Sequence, residues 1–317
     1  MPRALLALLA LAAVALPHAV DAFYVGFASR VLIYALAATS LNLVLGYGGL
    51  VSFGHAAYLG TGAYVSGILI AEGVTSAWVG WPAAVAVSAL LAAGIGALSL
   101  RTRGVYFIMI TLAFAQMMFY LVNSMKAYGG DEGLTLAVRA APGLGLDFAD
   151  ARTFYYATLA CLAAALLGLH RLAGSRFGRV IVAIRENETR MEAIGFPVFR
   201  FQLACFVIGG AACGLAGALL ASHGKYVNPS VLHWTQSGTL LVMVILGGVG
   251  NLWGGLLGAA ALLGLEELIA NTRVDWLAAL YPDYPQHAQL GVGVVLLAVV
   301  LFAPKGLAGL LRRRDHG

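Results

Sequence analysis

Long apolar runs separated by short polar intervals dominate the chain, and this pattern predicts its architecture. A straight helix needs about 20 mainly apolar residues to cross the hydrocarbon core of a bilayer. The apolar segments, some of them shorter than this, fall near 4–20, 23–46, 50–72, 80–100, 104–123, 153–172, 200–222, 238–249, 253–271 and 288–303. The pattern predicts an all-α, polytopic transmembrane helical bundle of about 8–10 spans, which forms a single domain over residues 1–317.

Glycines interrupt some of the predicted spans. The pair around 238–271 contains Gly247, Gly248, Gly250, Gly254 and Gly255. Non-helical backbone at membrane depth is tolerated only where protein or a water-filled cavity covers it, so we predict broken spans near the interior. The passage Leu45–Gly54 loosely resembles Leu246–Gly254, and both fall on the same predicted side. Either an internal repeat, as in many transporters, or chance similarity between glycine-rich stretches explains this.

Composition agrees with a lipid environment, because 61% of the 317 residues are hydrophobic and only 10% are charged. A soluble domain is about 25% charged, and its exterior could not accommodate so much apolar surface. The net charge of +5 is small, and no basic face is interleaved with aromatics, so we predict no nucleic-acid partner. The three cysteines, Cys161, Cys205 and Cys213, lie in apolar stretches without a C-x-x-C pair. We therefore interpret them as packing residues rather than as parts of disulfides or a zinc site.

The placement of the arginines predicts the orientation in the membrane. They concentrate between Arg171 and Arg200 and again at Arg312–Arg314, and cytoplasmic loops carry an excess of such cations. This predicts cytoplasmic termini, a cytoplasmic loop over about 173–199 and an external loop over about 124–152. Arg30 and Arg273 then fall near the outer face, against the trend, where they can snorkel at helix ends.

The N-terminal segment has two interpretations. Arg3, the apolar run Ala4–Ala15 and the small residues Ala19 and Ala22 fit a cleaved signal peptide. They also fit a short first span, which we favour because another apolar segment follows at once.

The cytoplasmic loop contains a polar run, Arg185–Arg190, between apolar residues. Glu186 and Arg190 are four residues apart, a spacing that favours a helix, and Gly195 followed by Pro197 is a helix-stop signal. These features predict a short helix over about 186–194. It either rests on the membrane surface or docks a cytoplasmic partner, and its three acidic residues favour docking because a lipid-surface helix would be mainly basic.

Polar residues inside the apolar segments are candidates for a translocation path, because such groups are costly in lipid and face protein or a cavity. The candidates are Asn42, Ser52, His55 and Gln116. The alternative for His55 is a neutral imidazole hydrogen-bonded to a neighbouring helix, and single amides such as Asn42 and Gln116 often only join helices. We predict no catalytic residues and no metal ligands.

Several motifs together resemble one family of transport proteins. Glu192, Ala193 and Gly195 are similar to the cytoplasmic coupling loop of bacterial ABC-importer permeases. More specifically, the chain resembles the branched-chain amino acid permease family of LivM type. The matching passages, in order along the chain, are Leu41–Leu50 with Ser52–Ala57, Arg103–Phe107 with Thr111–Gln116, Gly129–Leu134, and Ile245–Gly250 with Trp253–Gly254.

The resemblance implies an importer permease that moves branched-chain amino acids or related small polar solutes across a bacterial inner membrane by alternating access. The implied partners are a homologous, LivH-like second permease, two cytoplasmic ATPase subunits, a periplasmic or external substrate-binding protein and membrane lipid. It assigns ATPase coupling to Arg185, Glu186, Glu188, Arg190, Glu192, Ala193 and Gly195. ATP and Mg²⁺ then bind the partners, in keeping with a sequence that has no G-x-x-x-x-G-K-[ST] phosphate loop.

Two other classes remain as alternatives. A self-contained secondary transporter or channel would need paired intramembrane charges or ion-coordinating groups, which the sequence does not present. A membrane enzyme would need a cluster of His, Asp or Glu or an activated nucleophile, whereas the seven histidines are scattered. Within the leading interpretation, urea and small aromatic or carboxylic acids are alternative substrates.

Overall fold

Helices make up most of the chain in the computed structural model, which describes residues 13–140, 148, 150–271, 293, 296–297 and 306–312. In chain order they are α1 Ala22–Asn42, which continues as a π-helical turn Leu43–Tyr47, α2 His55–Ala71, α3 Ala77–Ser99, α4 Val105–Asn123, α5 Ala151–Gly174, α6 Arg176–Glu186, α7 Glu188–Ala193, α8 Val198–Gly224, α9 Trp234–Gly247, α10 Leu252–Asn271 and α11 Gly306–Arg312. Residues 13–19 are also helical. Shorter elements are the 3₁₀ turns Lys126–Tyr128 and Pro229–Leu232 and the strands β1 Leu134–Thr135 and β2 Tyr226–Val227.

The helices are long and apolar enough to confirm the predicted polytopic bundle. Six spans in the described part of the chain meet this condition, namely Ala22–Tyr47, Ala77–Ser99, Val105–Asn123, Ala151–Gly174, Val198–Gly224 and Leu252–Ile269. The shorter α2 and α9 have 17 and 14 residues. With these two, eight of the described helices form the apolar bundle. The predicted segments 4–20 and 288–303 fall mostly outside the described residues.

Helix α8 lies at the centre and packs along α1, α2 and α3. Glycines allow these backbones to approach: a Cβ at Gly217 would collide with the carbonyl of Leu59, and one at Gly62 with the backbone of Gly214. Small residues permit such contact in membrane bundles, where van der Waals packing drives association. By contrast, α4 exposes large apolar side chains such as Tyr106 and Tyr120, as expected for a helix at the periphery of a membrane protein.

The bundle has two ends, which we call the arginine-rich end and the opposite end. The arginine-rich end holds residues 48–54, the α3–α4 connection, α6, α7 and the turn 248–251, since Arg103 contacts Glu188 and Arg185 contacts Gly46. Helix α11 begins there too, because a Cβ at Gly306 would lie 2.6 Å from the Cα of Gly248. The arginine-rich loop and the start of the C-terminal helix therefore share one end, as the charge pattern predicts.

At the opposite end, the described part of the loop 124–152 folds back onto the helices. Strands β1 and β2 pair antiparallel, with Leu134 opposite Val227. The Arg139 guanidinium donates hydrogen bonds to the carbonyls of Phe148, at 2.8 Å, and His223, at 3.4 Å. These contacts tie the predicted external loop to the end of α8.

Candidate coupling site at the arginine-rich end

The segment between α5 and α8 forms two short helices. Helix α7 confirms the short helix predicted over about 186–194, although it begins only at Glu188, and α6 before it was not predicted. Asn187 has an extended backbone, with φ −156°, and ends α6. Its side-chain Oδ1 accepts a hydrogen bond from the Arg190 N–H at 2.9 Å and so begins α7. Asparagine competes with the backbone for such bonds and favours caps over helix interiors. Glu186 and Arg190 consequently lie on different helices, so the predicted i, i+4 stabilisation does not apply.

The predicted stop signal at Gly195 is confirmed. Helix α7 ends at Ala193, and Gly195 has φ +89°, a left-handed conformation that glycine adopts at no steric cost. Pro197 then precedes α8.

Apolar residues attach α6 and α7 to the bundle. Ile184, Met191 and Val198 are buried together, and Ile181 packs with Leu43 in a second cluster. Burying each such side chain contributes about 1.5–3 kcal/mol relative to exposure. The segment is thus seated on the bundle through one face.

The other face of this segment is open to solvent. Glu186, Arg190, Glu192, Ala193 and Gly195, all predicted coupling residues, are exposed. Beside them, Ile194 is 62%, Phe196 37% and Phe199 40% exposed. We call these eight residues the coupling surface, which combines charged and large apolar side chains.

Glu188 and Glu192 interact with a residue that the sequence analysis did not single out for coupling. Arg103, in the α3–α4 connection, lies 3.1 Å from the Glu188 carboxylate and 3.6 Å from that of Glu192. The side chain of Arg103 is 70% exposed, so each ion pair contributes only about 0–1 kcal/mol. The pairs nevertheless link α7 to the start of α4.

Arg185 is exposed like most of the predicted coupling residues, but its guanidinium also contacts the end of α1. It donates a hydrogen bond to the carbonyl of Gly46, in the π-helical turn. Its aliphatic stem lies over Gly49, where a Cβ would be only 2.5 Å from the Arg185 Cγ.

Asn42 joins the two glycine-rich passages, which the predicted topology placed on the same side of the membrane. Its Nδ2 donates to the Asn251 carbonyl at 2.6 Å, and its Oδ1 accepts from the Gly250 N–H at 2.9 Å. A Cβ at Gly46 would lie 2.7 Å from the Gly250 Cα, so the backbones meet closely. We call residues 46–50 and 248–251 the glycine junction. The fully buried Asn42 amide thus joins helices, one of its two predicted roles.

Ser52 lies in a non-helical stretch, residues 48–54, that precedes α2. Its Oγ accepts from the Gly54 N–H at 3.1 Å. The Phe53 N–H donates to Thr111 Oγ1 at 3.2 Å and the Ala56 N–H to Ser237 Oγ at 2.8 Å. Neighbouring helices therefore satisfy this backbone, as membrane depth requires. Because residues 50–72 form one apolar run, the sequence did not reveal that α2 begins only at His55.

His55 is fully buried in an aromatic cluster. Its ring centroid lies 5.5 Å from that of Tyr58 and 6.3 Å from that of Phe206. Neither ring nitrogen has a hydrogen-bond partner among the described residues, so the helix-joining hydrogen bond predicted as one alternative is not observed there.

Gln116 lies apart from the other path candidates. Its Oε1 accepts from the Trp234 N–H at 3.5 Å, at the start of α9. The structure thus does not bring Asn42, Ser52, His55 and Gln116 into one lining. Sequence reasoning missed Thr111, Ser237, Asn251, Asn187 and Arg103. For the first three, hydroxyls and amides within or beside apolar runs were an available signal.

A cavity of about 260 Å³ opens at the arginine-rich end. Its lining includes residues 48–51 together with Phe107, Gln202, Arg185 and Glu188. In the described part of the chain, no three His, Cys, Asp or Glu residues are grouped as metal ligands.

Apolar helices joined by buried polar groups and glycines, with a partly charged helical segment at one end, define a multi-pass membrane protein. The family model described as "Branched-chain amino acid transport system / permease component" matches residues 23–302. The chain belongs to this family, and its relatives indicate the LivM type.

Those relatives include both kinds of permease from one class of transport system. The high-affinity branched-chain amino acid transport system permease protein LivM of Salmonella typhimurium is 28% identical over 97% of this chain and 75% of that protein. LivM of Escherichia coli gives the same three values. LivH of Escherichia coli is 25% identical over 87% of this chain and 91% of its own length. No solved structure gives a significant match to the chain.

Proposed function

We propose that this chain is one of two homologous permease subunits of an ABC importer in a bacterial inner membrane. It carries branched-chain amino acids or related small polar solutes by alternating access, with both termini in the cytoplasm. Two ATPase subunits bind ATP and Mg²⁺ and drive the cycle, and an external binding protein delivers the solute to the opposite end. In this proposal the chain itself acts as a transport subunit and not as an enzyme.

The coupling surface is the observation that supports ATPase docking. Apolar side chains such as Ile194 are costly to expose, and patches rimmed by polar residues commonly mark interaction sites. Here the rim contains both signs of charge, including Glu186 and Arg190. A mixed surface of this kind suits a protein partner better than an anionic lipid surface, which favours mainly basic helices.

Similarity to both LivM and LivH supports the second permease. This chain matches LivH over most of its length as well as LivM. Two chains with a common fold can form a pseudo-symmetric pair with a path between them, and pairing of like subunits is the usual arrangement in oligomers.

The docking role is tested by retention of the ATPases on the purified complex. Ala193→Arg places a bulky cation in the coupling surface, and Ala71→Arg places the same group on an exposed site at the opposite end. We expect Ala193→Arg to lower ATPase retention about tenfold, a loss of about 1.4 kcal/mol, and Ala71→Arg to leave it unchanged. Equal retention in both variants would contradict docking at α7.

Transport is tested with the whole complex in proteoliposomes, using labelled leucine, the binding protein and internal ATP. We expect saturable uptake that requires ATP hydrolysis and that isoleucine and valine inhibit. Competition by urea or benzoate instead would reassign the substrate. Uptake by this chain alone without ATP would establish the secondary transporter or channel.

A further inference from the structure

Arg185 connects α6 to the glycine junction rather than extending only toward solvent. Its guanidinium bonds the Gly46 carbonyl, and its Nη1 lies 4.0 Å from the position that a Cβ would occupy at Gly250. One side chain thus lies beside both glycine-rich passages, which are distant from each other in the sequence.

Glycines form the surface on which the arginine lies. Gly49 has φ +69° and Gly250 has φ +80°, conformations that L side chains rarely adopt. Any side chain at Gly49 would also meet the Arg185 stem, since even a Cβ would be 2.5 Å from its Cγ. The backbone conformation at Gly49 and Gly250 favours glycine, and at Gly49 the absence of a side chain also leaves room for the Arg185 stem.

The junction lies at a departure from regular helix. Residues Leu43–Tyr47 form a π-helical turn, a feature that occurs mostly as single turns and frequently at functional sites. Asn42, at the start of this turn, holds the turn Gly250–Asn251 through two hydrogen bonds. A displacement of the Gly46 carbonyl would therefore act on α1 directly and on α10 through Asn42.

We propose that Arg185 is a positioning residue that transmits movement of α6 and α7 to α1 and α10 by holding the glycine junction. The proposal rests on the ATPase-driven transport proposed above and assigns Arg185 a role distinct from the coupling surface. ATPases displace the exposed face of α7, and Arg185 carries that displacement to the Gly46 carbonyl. The junction then moves with the segment instead of sliding past it.

Arginine suits this role better than lysine. Its planar guanidinium presents five N–H donors in a fixed geometry, whereas a lysine ammonium is a compact point charge on a flexible stem. Arginine can therefore hold a carbonyl in one orientation while its stem covers Gly49. We expect Arg185→Lys to restore only part of the function lost in Arg185→Gln.

The main test is the number of ATP molecules hydrolysed per solute imported by the whole complex in proteoliposomes. In Arg185→Gln we expect import to fall at least about fivefold, the lower range of typical coupling effects, while ATPase retention and ATP hydrolysis stay near wild type. The ratio therefore rises. Arg179→Gln, which removes an exposed cation from the same helix, should leave the ratio unchanged.

A pair of glycine variants separates contact with Arg185 from backbone strain. Gly49→Ala introduces a Cβ against the arginine stem. Gly73→Ala introduces one at φ +89° with nothing within 4 Å. We expect only Gly49→Ala to raise the ratio. An unchanged ratio in Arg185→Gln, or a parallel loss of import, hydrolysis and ATPase retention, overturns the proposal.

Hydrogen exchange of the purified permease tests the anchor without transport. Arg185→Gln should speed amide exchange in residues 43–50 and 250–254 at least about threefold, as expected for a lost contact that stabilises by about 0.6 kcal/mol. Arg179→Gln should not. Unchanged exchange in Arg185→Gln refutes the anchor, whereas a wild-type complex that fails to import with ATP refutes the proposed function alone.

Discussion

The two ends of the bundle are held by different kinds of contact. At the opposite end, main-chain pairing between β1 and β2 continues to Leu136, whose N–H donates to the Lys225 carbonyl at 2.8 Å. At the arginine-rich end, elements distant in sequence meet through single polar side chains, Asn42, Arg103 and Arg185, and through glycine backbones. One end is tied by several backbone bonds together with Arg139, and the other by separate polar side chains, glycine contacts and the apolar residues beneath α6 and α7.

The difference indicates where the molecule can change shape. Local opening costs least where few cooperative contacts must break. Individual side-chain bonds can be exchanged one at a time, whereas a strand pair and the Arg139 contacts must open together. We therefore expect the arginine-rich end, where ATPases are proposed to act, to rearrange first.

Disrupting the close backbone approach of α9 and α10, the two helices that meet at the turn 248–251, should have the largest effect on stability. A side chain at Gly258 would collide with the Met243 carbonyl on α9, whereas Gly264 on the same helix has nothing within 4 Å. We expect Gly258→Leu to lower the free energy of unfolding by about 1–3 kcal/mol through overpacking, and Gly264→Leu to change it little. Denaturant titration in mixed micelles measures both, and equal losses would contradict the packing of α9 on α10.

Removing the Arg139 side chain at the opposite end should lower the free energy of unfolding by a similar or slightly smaller amount. Arg139→Ala leaves two carbonyls without this donor, and hydrogen bonds to charged groups contribute about 1.5–3 kcal/mol. Arg152→Ala, a nearby exposed arginine, is the control. We expect lower thermal stability only in Arg139→Ala, with an unchanged ATP-to-solute ratio. A raised ratio would show that both ends take part in coupling.

Reversing a charge in the exposed ion pair at the arginine-rich end should have a small effect on the free energy of unfolding, and a second reversal should compensate it. Arg103→Glu brings a third carboxylate beside Glu188 and Glu192, and we expect a loss of about 0–1 kcal/mol in unfolding free energy. Adding Glu188→Arg should recover part of it. A double-mutant cycle at low and high salt measures the pair, because salt screens exposed charges. A cycle energy of zero would mean that the apolar packing of Met191 holds α7 in place without help from the ion pair.

The smallest effect on stability is expected from protonation of Asp150 at the opposite end. Hydrogen bonds from the Thr153 hydroxyl and from the Thr153 and Arg152 backbone N–H groups hold the pKa of Asp150 below its usual range. The depressed pKa stabilises the fold at pH values above the unfolded pKa, about 3.9. This contribution is lost as the pH falls through the folded pKa.

Asp150→Asn separates this charge effect from helix capping. Asparagine caps helices about as well as aspartate, so the variant should keep stability near pH 7. Its melting temperature should depend less on pH between pH 5 and 3. An unchanged pH dependence would show that other carboxyl groups control the acid response.

Local signals in the sequence predicted some features of the arginine-rich end and missed others. Gly195 and Pro197 marked the end of α7 correctly, because a left-handed glycine and a proline act on the backbone nearby. The start of α2 was misplaced, since apolar residues 50–54 look alike whether helical or extended. Asn187 was read as part of a helix, because the polar run concealed its capping role.

The sequence by itself determined the membrane-spanning helices, the family and the end of the bundle that carries the arginines. Burial in lipid and helix periodicity act on neighbouring residues, so runs of sequence reveal them. Only the tertiary structure decided that Asn42 bonds Asn251, 209 positions away, and that Arg185 reaches Gly46, 139 positions away. Many partners can satisfy one buried amide or guanidinium, and the choice depends on which backbones glycine allows to meet.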